Sequence, residues 1–213
     1  MVESDMASPY EIWPGLQSHH LGREALKIRE AYSGHCRLSP LIAMSDPVRT
    51  PDILGWAKAL PENCAIIYRY NTFDEAIAKE LRQLTLKHAQ QFLIRSETKI
   101  AISDGQHFKR HTDISNISRA RQKAPDSLLT LAAIKEGDYP TPLPELDGLF
   151  VSAVFASQSP SAGTPLGIEA LKLRVKAWPV PIFALGGITP YTAPSLRKTG
   201  IAGLAAVGAL TAD

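Results

Sequence analysis

The chain has 213 residues, 45% of them hydrophobic, and 23 basic side chains against 21 acidic ones give a formal charge of +2. That length and apolar content suit one sizeable core and one domain over residues 1–213, and the near balance of charge argues against a nucleic-acid or anionic-membrane surface. The apolar runs are too short for a membrane span, residues 1–15 are polar rather than leader-like, and Cys36 and Cys64 lack metal-ligand spacing, so a cytoplasmic protein with reduced thiols is expected.

Residues 1–40 read as an N-terminal extension in which 16–32 is helical, with Leu21, Ala25, Ile28 and Tyr32 on one face. The first strand is 41–45, ended by Asp46 and Pro47, and Thr50 and Pro51 start a helix carrying Ile53, Leu54, Ala57 and Leu60. Strand two, 65–70, leads to a helix in which Thr72 and Glu75 have capping-box spacing and Ile77, Leu81 and Leu84 recur at helical intervals. Strand three is 91–95, and strand four, near 106–109, follows so soon that a short helix or turn over 97–103 is all that fits between them. Residues 115–124 form a modest helix and 128–134 strand five. In the next connection Pro140, Pro142 and Pro144 exclude a regular helix. Strand six is 149–155, followed by a long polar turn over 156–167 and a helix marked by Ile168, Leu171 and Val175.

The last third is the most pointed. VPIFALGGIT (180–189) reads as a strand buried on both faces, ended by Gly186 and Gly187, with Thr189 as N-cap and Pro190 as first residue of a helix that Gly200 closes. GLAAVGAL (203–210) is an eighth strand broken by Gly208. The alternation of short apolar runs with amphipathic stretches predicts a compact (β/α)8 TIM barrel, lacking the helix after strand eight and preceded by an N-terminal helix. That helix, or a second subunit, is expected to cover the side left open. Glycines at the ends of strands seven and eight leave backbone amides open to an anion, although a tight bend alone also calls for glycine there.

Active groups in such a barrel lie at the C-terminal strand ends. Those ends carry Asp46, Arg69, Arg95, Ser96, His107, Lys109, Arg110, His111, Asp113, Ser157, Gln158, Ser159, Ser161 and Gly163. Cations and hydroxyls dominate, a mix that binds an anion by charge-assisted hydrogen bonds.

In order and spacing, SPLIAMSD, SAVFASQSPSAGTPLG, VPIFALGGIT and GLAAVGAL resemble thiamine-phosphate synthase and its relative thiazole tautomerase, over residues 41–210, and GQHF (105–108) is similar to that family's GVHL stretch. The synthase joins hydroxymethylpyrimidine diphosphate to a thiazole phosphate with loss of pyrophosphate, magnesium neutralising the leaving group. The resemblance implies that Ser157, Ser159, Gly186, Gly187 and Gly208 hold the phosphate of a thiazole phosphate or related phosphorylated small molecule, with Gly163 of the same turn a further candidate.

The pyrophosphate half departs from the family. Its strand-two glutamine-leucine-arginine, with a lysine two residues on, reads here as Ile67, Tyr68, Arg69 and Asn71, so Arg69 alone is kept. The strand-three asparagine-aspartate pair reads as Arg95 and Ser96, the lysine after the strand-six hydroxyls as Pro160, and Asp113 is the one stand-in for the second metal carboxylate. The tautomerase's serine-x-histidine aligns with Ala132, Ala133 and Ile134, which leaves His107 as the replacement for general acid–base work. A permanent cation in place of an acidic pair reverses the local field, so Arg69 and Arg95 would hold a phosphate without a metal; alternatively, Arg95 bridges to Asp46 or Glu97 at the rim.

Two functions follow. The first is a thiamine-phosphate synthase-like protein of thiamine biosynthesis, a transferase or a tautomerase-like isomerase if active, with Arg69 and His107 as catalytic candidates. The second is a non-catalytic phosphate-ligand-binding paralogue that has lost the pyrophosphate, magnesium and acid–base residues. No metal site and no cofactor are expected, magnesium entering only with a retained synthase reaction, and the resemblance implies a homodimer with neither nucleic acid nor membrane as partner.

Overall fold

The structure, a computed structural model, describes residues 14–62, 64–132, 145–157, 159 and 163–211. Eight short strands, β1 (Leu41–Met44), β2 (Ala65–Tyr68), β3 (Gln91–Ile94), β4 (Gly105–Phe108), β5 (Leu128–Leu131), β6 (Gly148–Val151), β7 (Ile182–Ala184) and β8 (Gly203–Ala206), form a closed parallel barrel in chain order. It closes where β8 pairs with β1, Leu41 opposite Leu204. Because successive side chains point to opposite faces of a strand, each strand feeds two cores. Ile42, Met44, Ile67, Leu93, Phe150, Phe183 and Ala205 fill the barrel interior. Ala43, Ile66, Phe92, Ile94, Val151 and Leu204 pack outward under the helices.

The helices are α1 (Pro14–Glu30), α2 (Ile53–Lys58), α3 (Glu75–Lys87), α4 (Ile114–Lys123) and α5 (Ile168–Ala177). Three begin on aspartate caps: Asp52 accepts from Gly55 N, Asp74 from Ile77 N and Asp113 from Ser115 N. This corrects two starts. Thr50 and Pro51 precede α2 rather than open it, and Asp74, a better N-cap than threonine, displaces the Thr72 capping box. Between β3 and β4 there is a turn and no helix.

The helix expected from Thr189 and Pro190 is also absent. Thr189 Oγ1 instead accepts from the Tyr191 and Thr192 amides at 3.3 and 3.2 Å, and the chain forms a single 3-10 turn, Ala193–Leu196. Pro194, four residues after Pro190, removes a donor that a longer helix needs. Residues 133 and 134 of the expected fifth strand, the connection carrying Pro140, Pro142 and Pro144, and Gln158, Pro160 and Ser161 lie outside the described residues.

The side left without a helix after β8 is covered by α1. Leu21, Ala25 and Ile28 are fully or almost fully buried there, Arg29 Nε donates to Ala202 O at 2.7 Å, and Glu24 pairs with Arg197 at 2.6 Å. The N-terminal helix therefore does the covering expected of it or of a second subunit. At the N-terminal end of the barrel, buried Asp147 accepts from Arg37 Nε (2.6 Å), Arg121 Nη2 (2.8 Å) and Leu129 N (2.8 Å). Burial alone would raise its pKa, but these donors hold it below the ordinary carboxylate value. No helix among the described residues is long and apolar enough to cross a membrane.

Candidate functional site

The inward face of β2 runs from Ile67 to Arg69 and that of β3 from Leu93 to Arg95, so period-two alternation carries both guanidinium groups to the C-terminal mouth of the barrel. Arg69 is held at the end of β1: its Nε donates to Ser45 O at 2.6 Å, its backbone N to Ser45 Oγ at 2.7 Å, and its Nη2 lies 3.4 Å from Asp46 Oδ2. Arg95 donates from Nη2 to Tyr70 O and lies over the Tyr70 ring, 5.3 Å from its centre. Arg69, and not Arg95, takes Asp46, while Glu97 accepts from Thr112 Oγ1 at 2.8 Å, so neither expected rim bridge to Arg95 is present among the described residues.

Burial and the charges of Arg95 and Arg49 bring the Arg69 pKa below its ordinary value in spite of Asp46. Arg69 thus lies within the field of two further guanidinium groups and one carboxylate.

His107 lies one layer deeper. It is 2% exposed, its ring meets Phe150 edge-on at 5.3 Å, and Nδ1 is 2.9 Å from Thr130 Oγ1. Thr130 Oγ1 in turn donates to Gln106 O at 3.2 Å, which assigns the Nδ1 proton to the histidine and leaves Nε2 as an acceptor. Burial, then the positive Arg69 and Arg95, push its pKa down to about 3. Burial and the two cations thus favour the neutral ring, with Nδ1 bonded to Thr130.

On the opposite side of the mouth the turns after β6 and β7 are laced together. Val154 N donates to Leu185 O and Phe155 N to Gly186 O, at 3.0 and 3.1 Å. Gly186 (φ +89) and Gly187 (φ +66) are left-handed, and a Cβ on Gly187 would stand 2.4 Å from Ala156 O. The pair is therefore required by the turn itself, and its amides donate to no other described residue. Ser157, one residue beyond that contact, accepts through Oγ from Ser159 N at 3.3 Å. Gly163 is exposed, with φ +65 and nothing within 4 Å of an added Cβ. Gly208 opens a 3-10 turn, Gly208–Leu210, after β8.

A magnesium site needs converging oxygen ligands, and the described residues do not fit one. No three His, Cys, Asp or Glu side chains come together among them, Asp46 is engaged by Arg69, and Asp113 caps α4 on the exposed surface. Lys109 and His111 are exposed at the rim beyond β4. Arg49, three residues past Asp46, is not among the strand-end residues that the sequence pattern singles out; a cation so soon after a strand end is the signal that could have found it.

Comparison with known proteins gives the lineage. A family model described as thiamine monophosphate synthase matches residues 65–210. Curated relatives include the thiamine-phosphate synthases of Methanococcus maripaludis, 28% identical over 138 residues (63% of this chain, 66% of that one), and Archaeoglobus fulgidus, 30% identical over 141 residues (64% and 65%). The chain thus spans just under two thirds of the length of the curated relatives it matches. Among solved structures, the barrel is similar to thiamine phosphate pyrophosphorylase from Pyrococcus furiosus, with a TM-score of 0.62 at 23% identity over 78% of this chain and 84% of that one. With more than half of its residues matched by the family model and its strands closed into a barrel similar to that neighbour's, the chain belongs to the thiamine monophosphate synthase family.

Proposed function

We propose that this barrel binds a phosphorylated small molecule, a thiazole phosphate or a chemical relative of it, across the C-terminal mouth, and that it does so without a divalent metal. The observation that carries this reading is the pair Arg69 and Arg95, aimed at the mouth and balanced by Asp46 alone among their described partners. The Ser157 and Ser159 hydroxyls and the turns at Gly163, Gly186, Gly187 and Gly208 take the phosphate. The two arginines take the remaining negative charge through planar, charge-assisted hydrogen bonds. The family resemblance makes thiazole phosphate the first ligand to try, and the names of the curated relatives add thiamine phosphate.

A second reading, binding without turnover, is favoured by His107. A synthase must neutralise a departing pyrophosphate and a tautomerase must move protons. Here the histidine is buried and bonded to Thr130, and Arg95 and Ser96 stand where the family resemblance places an asparagine and an acid. We include a homodimer in the proposal, to be read by sedimentation.

The test has two arms. A thermal-shift screen in EDTA against thiazole phosphate, thiamine phosphate, pyrophosphate and pyridoxal phosphate is expected to raise the melting point with at least the first, because a ligand that binds only the folded state stabilises it. Stabilisation by none of the four overturns the reading. Complementation of a thiamine-requiring strain lacking the synthase separates turnover, which restores growth, from binding alone, which does not.

A further inference from the structure

Gly208 differs from the other glycines at the mouth. At Gly186 and Gly187 the left-handed backbone and the crowding by Ala153 and Ala156 require glycine for the fold itself. Neither reason applies at Gly208, which is exposed and has no positive φ, and where the nearest atom to an added Cβ is Arg49 Nη1 at 3.8 Å. The missing side chain therefore leaves a gap with the β8 turn on one side and a guanidinium on the other.

The turn that carries Arg49 is fixed by Asp46 and Thr50. Asp46 Oδ1 accepts from the Val48 and Arg49 amides, both at 3.1 Å, and Thr50 N and Oγ1 donate to Asp46 O at 2.8 and 2.7 Å. The other Asp46 oxygen faces Arg69. The half-buried Arg49 side chain makes no hydrogen bond or ion pair among the described residues, although it carries five N–H donors. A guanidinium without a partner among the described residues, beside an exposed glycine turn that the fold does not need, is suited to an anion lying on both.

We propose that Arg49 binds the phosphoryl group of the ligand, clamping it against the Gly208 turn, so that this end of the ligand is a phosphate monoester dianion. The inference deepens the phosphate-binding reading and rests on it. It adds a residue from the β1–α2 turn that the strand-end pattern did not supply. The Arg49 charge is one of those that lower the Arg69 pKa, which agrees with it, since an anion nearby would offset that repulsion.

The experiment is a calorimetric titration of inorganic phosphate, in EDTA, into the unaltered protein and into Arg49→Gln, Arg49→Lys and Gly208→Ala. The unaltered protein is expected to bind phosphate, and Arg49→Gln to bind it about tenfold or more weakly, as loss of charge-assisted hydrogen bonds demands. Arg49→Lys, which keeps the charge and loses the fork, should fall between. Gly208→Ala puts a methyl group into the gap and should weaken binding with its unfolding midpoint unchanged. Because the Arg49 side chain holds nothing in the fold, Arg49→Gln should also melt with the unaltered protein. Unchanged affinity in both Arg49→Gln and Gly208→Ala overturns this inference alone, and absence of phosphate binding by the unaltered protein overturns it together with the reading beneath it.

Discussion

Protonation of His107 is the perturbation whose size follows most directly from the structure. Its imidazole is 2% exposed, donates from Nδ1 to Thr130, and has its pKa pushed down to about 3 by burial and by Arg69 and Arg95. In the unfolded chain the same group titrates near 6.5. Between those values the unfolded state takes up a proton that the folded state refuses. The stabilising contribution is therefore complete above about pH 6.5 and is lost as the pH falls from there toward the folded value. Integrated from about pH 7 to about pH 5, the loss is about 2 kcal/mol, from ~1.4 kcal/mol per unit of pH once the unfolded imidazole is charged. Urea unfolding of the unaltered protein and of His107→Gln at both pH values reads it directly. The unaltered protein should lose about 2 kcal/mol more than the variant, a fall in midpoint of about 1 M urea at a slope of roughly 2 kcal/mol/M. Equal losses in the two proteins would show that His107 titrates in the fold near its unfolded value, and a proton-transfer role at neutral pH would return.

Two further outcomes follow from packing. Leu21→Ala, at a fully buried site on α1, should cost about 3 kcal/mol, whereas Leu26→Ala on the same helix, at 54% exposure, should stay within about 0.5 kcal/mol; equal effects in urea unfolding would detach α1 from the barrel. Gly187→Ala carries the ~1 kcal/mol cost of a left-handed alanine as well as a Cβ placed 2.4 Å from Ala156 O, so it should destabilise by more than about 2 kcal/mol; a neutral effect in the same assay would refute the laced β6–β7 turn.

The barrel was legible because its strands are short, apolar and separated by amphipathic stretches, a pattern that a parallel sheet buried on both faces imposes. Ala65 to Tyr68 and Gly203 to Ala206 illustrate it, buried at every position. Helix starts were less legible, because several residues compete for each cap. Asp74 wins over Thr72, and Pro194 cuts short what Pro190 was expected to begin. The cations at the mouth could be located from strand alternation, but their partners could not. That Arg69 takes Asp46 while Arg95 turns to Tyr70 depends on side-chain rotamers across strands, as does the gap between Arg49 and Gly208. His107 was legible as a candidate, but its surroundings were not, since its neighbours lie on β5 and β6 and just past the ends of β2 and β3.

The central claim, that Arg69 and Arg95 hold an anion at this mouth without a metal, is tested most directly by calorimetric titration of pyrophosphate into the unaltered protein and Arg95→Asp, each in EDTA and in magnesium. The affinity of the unaltered protein should be the same in both buffers, and that of Arg95→Asp should collapse in EDTA and return in part with magnesium, since an acid at that position needs a cation to face an anion. An absolute magnesium requirement in the unaltered protein would contradict the account.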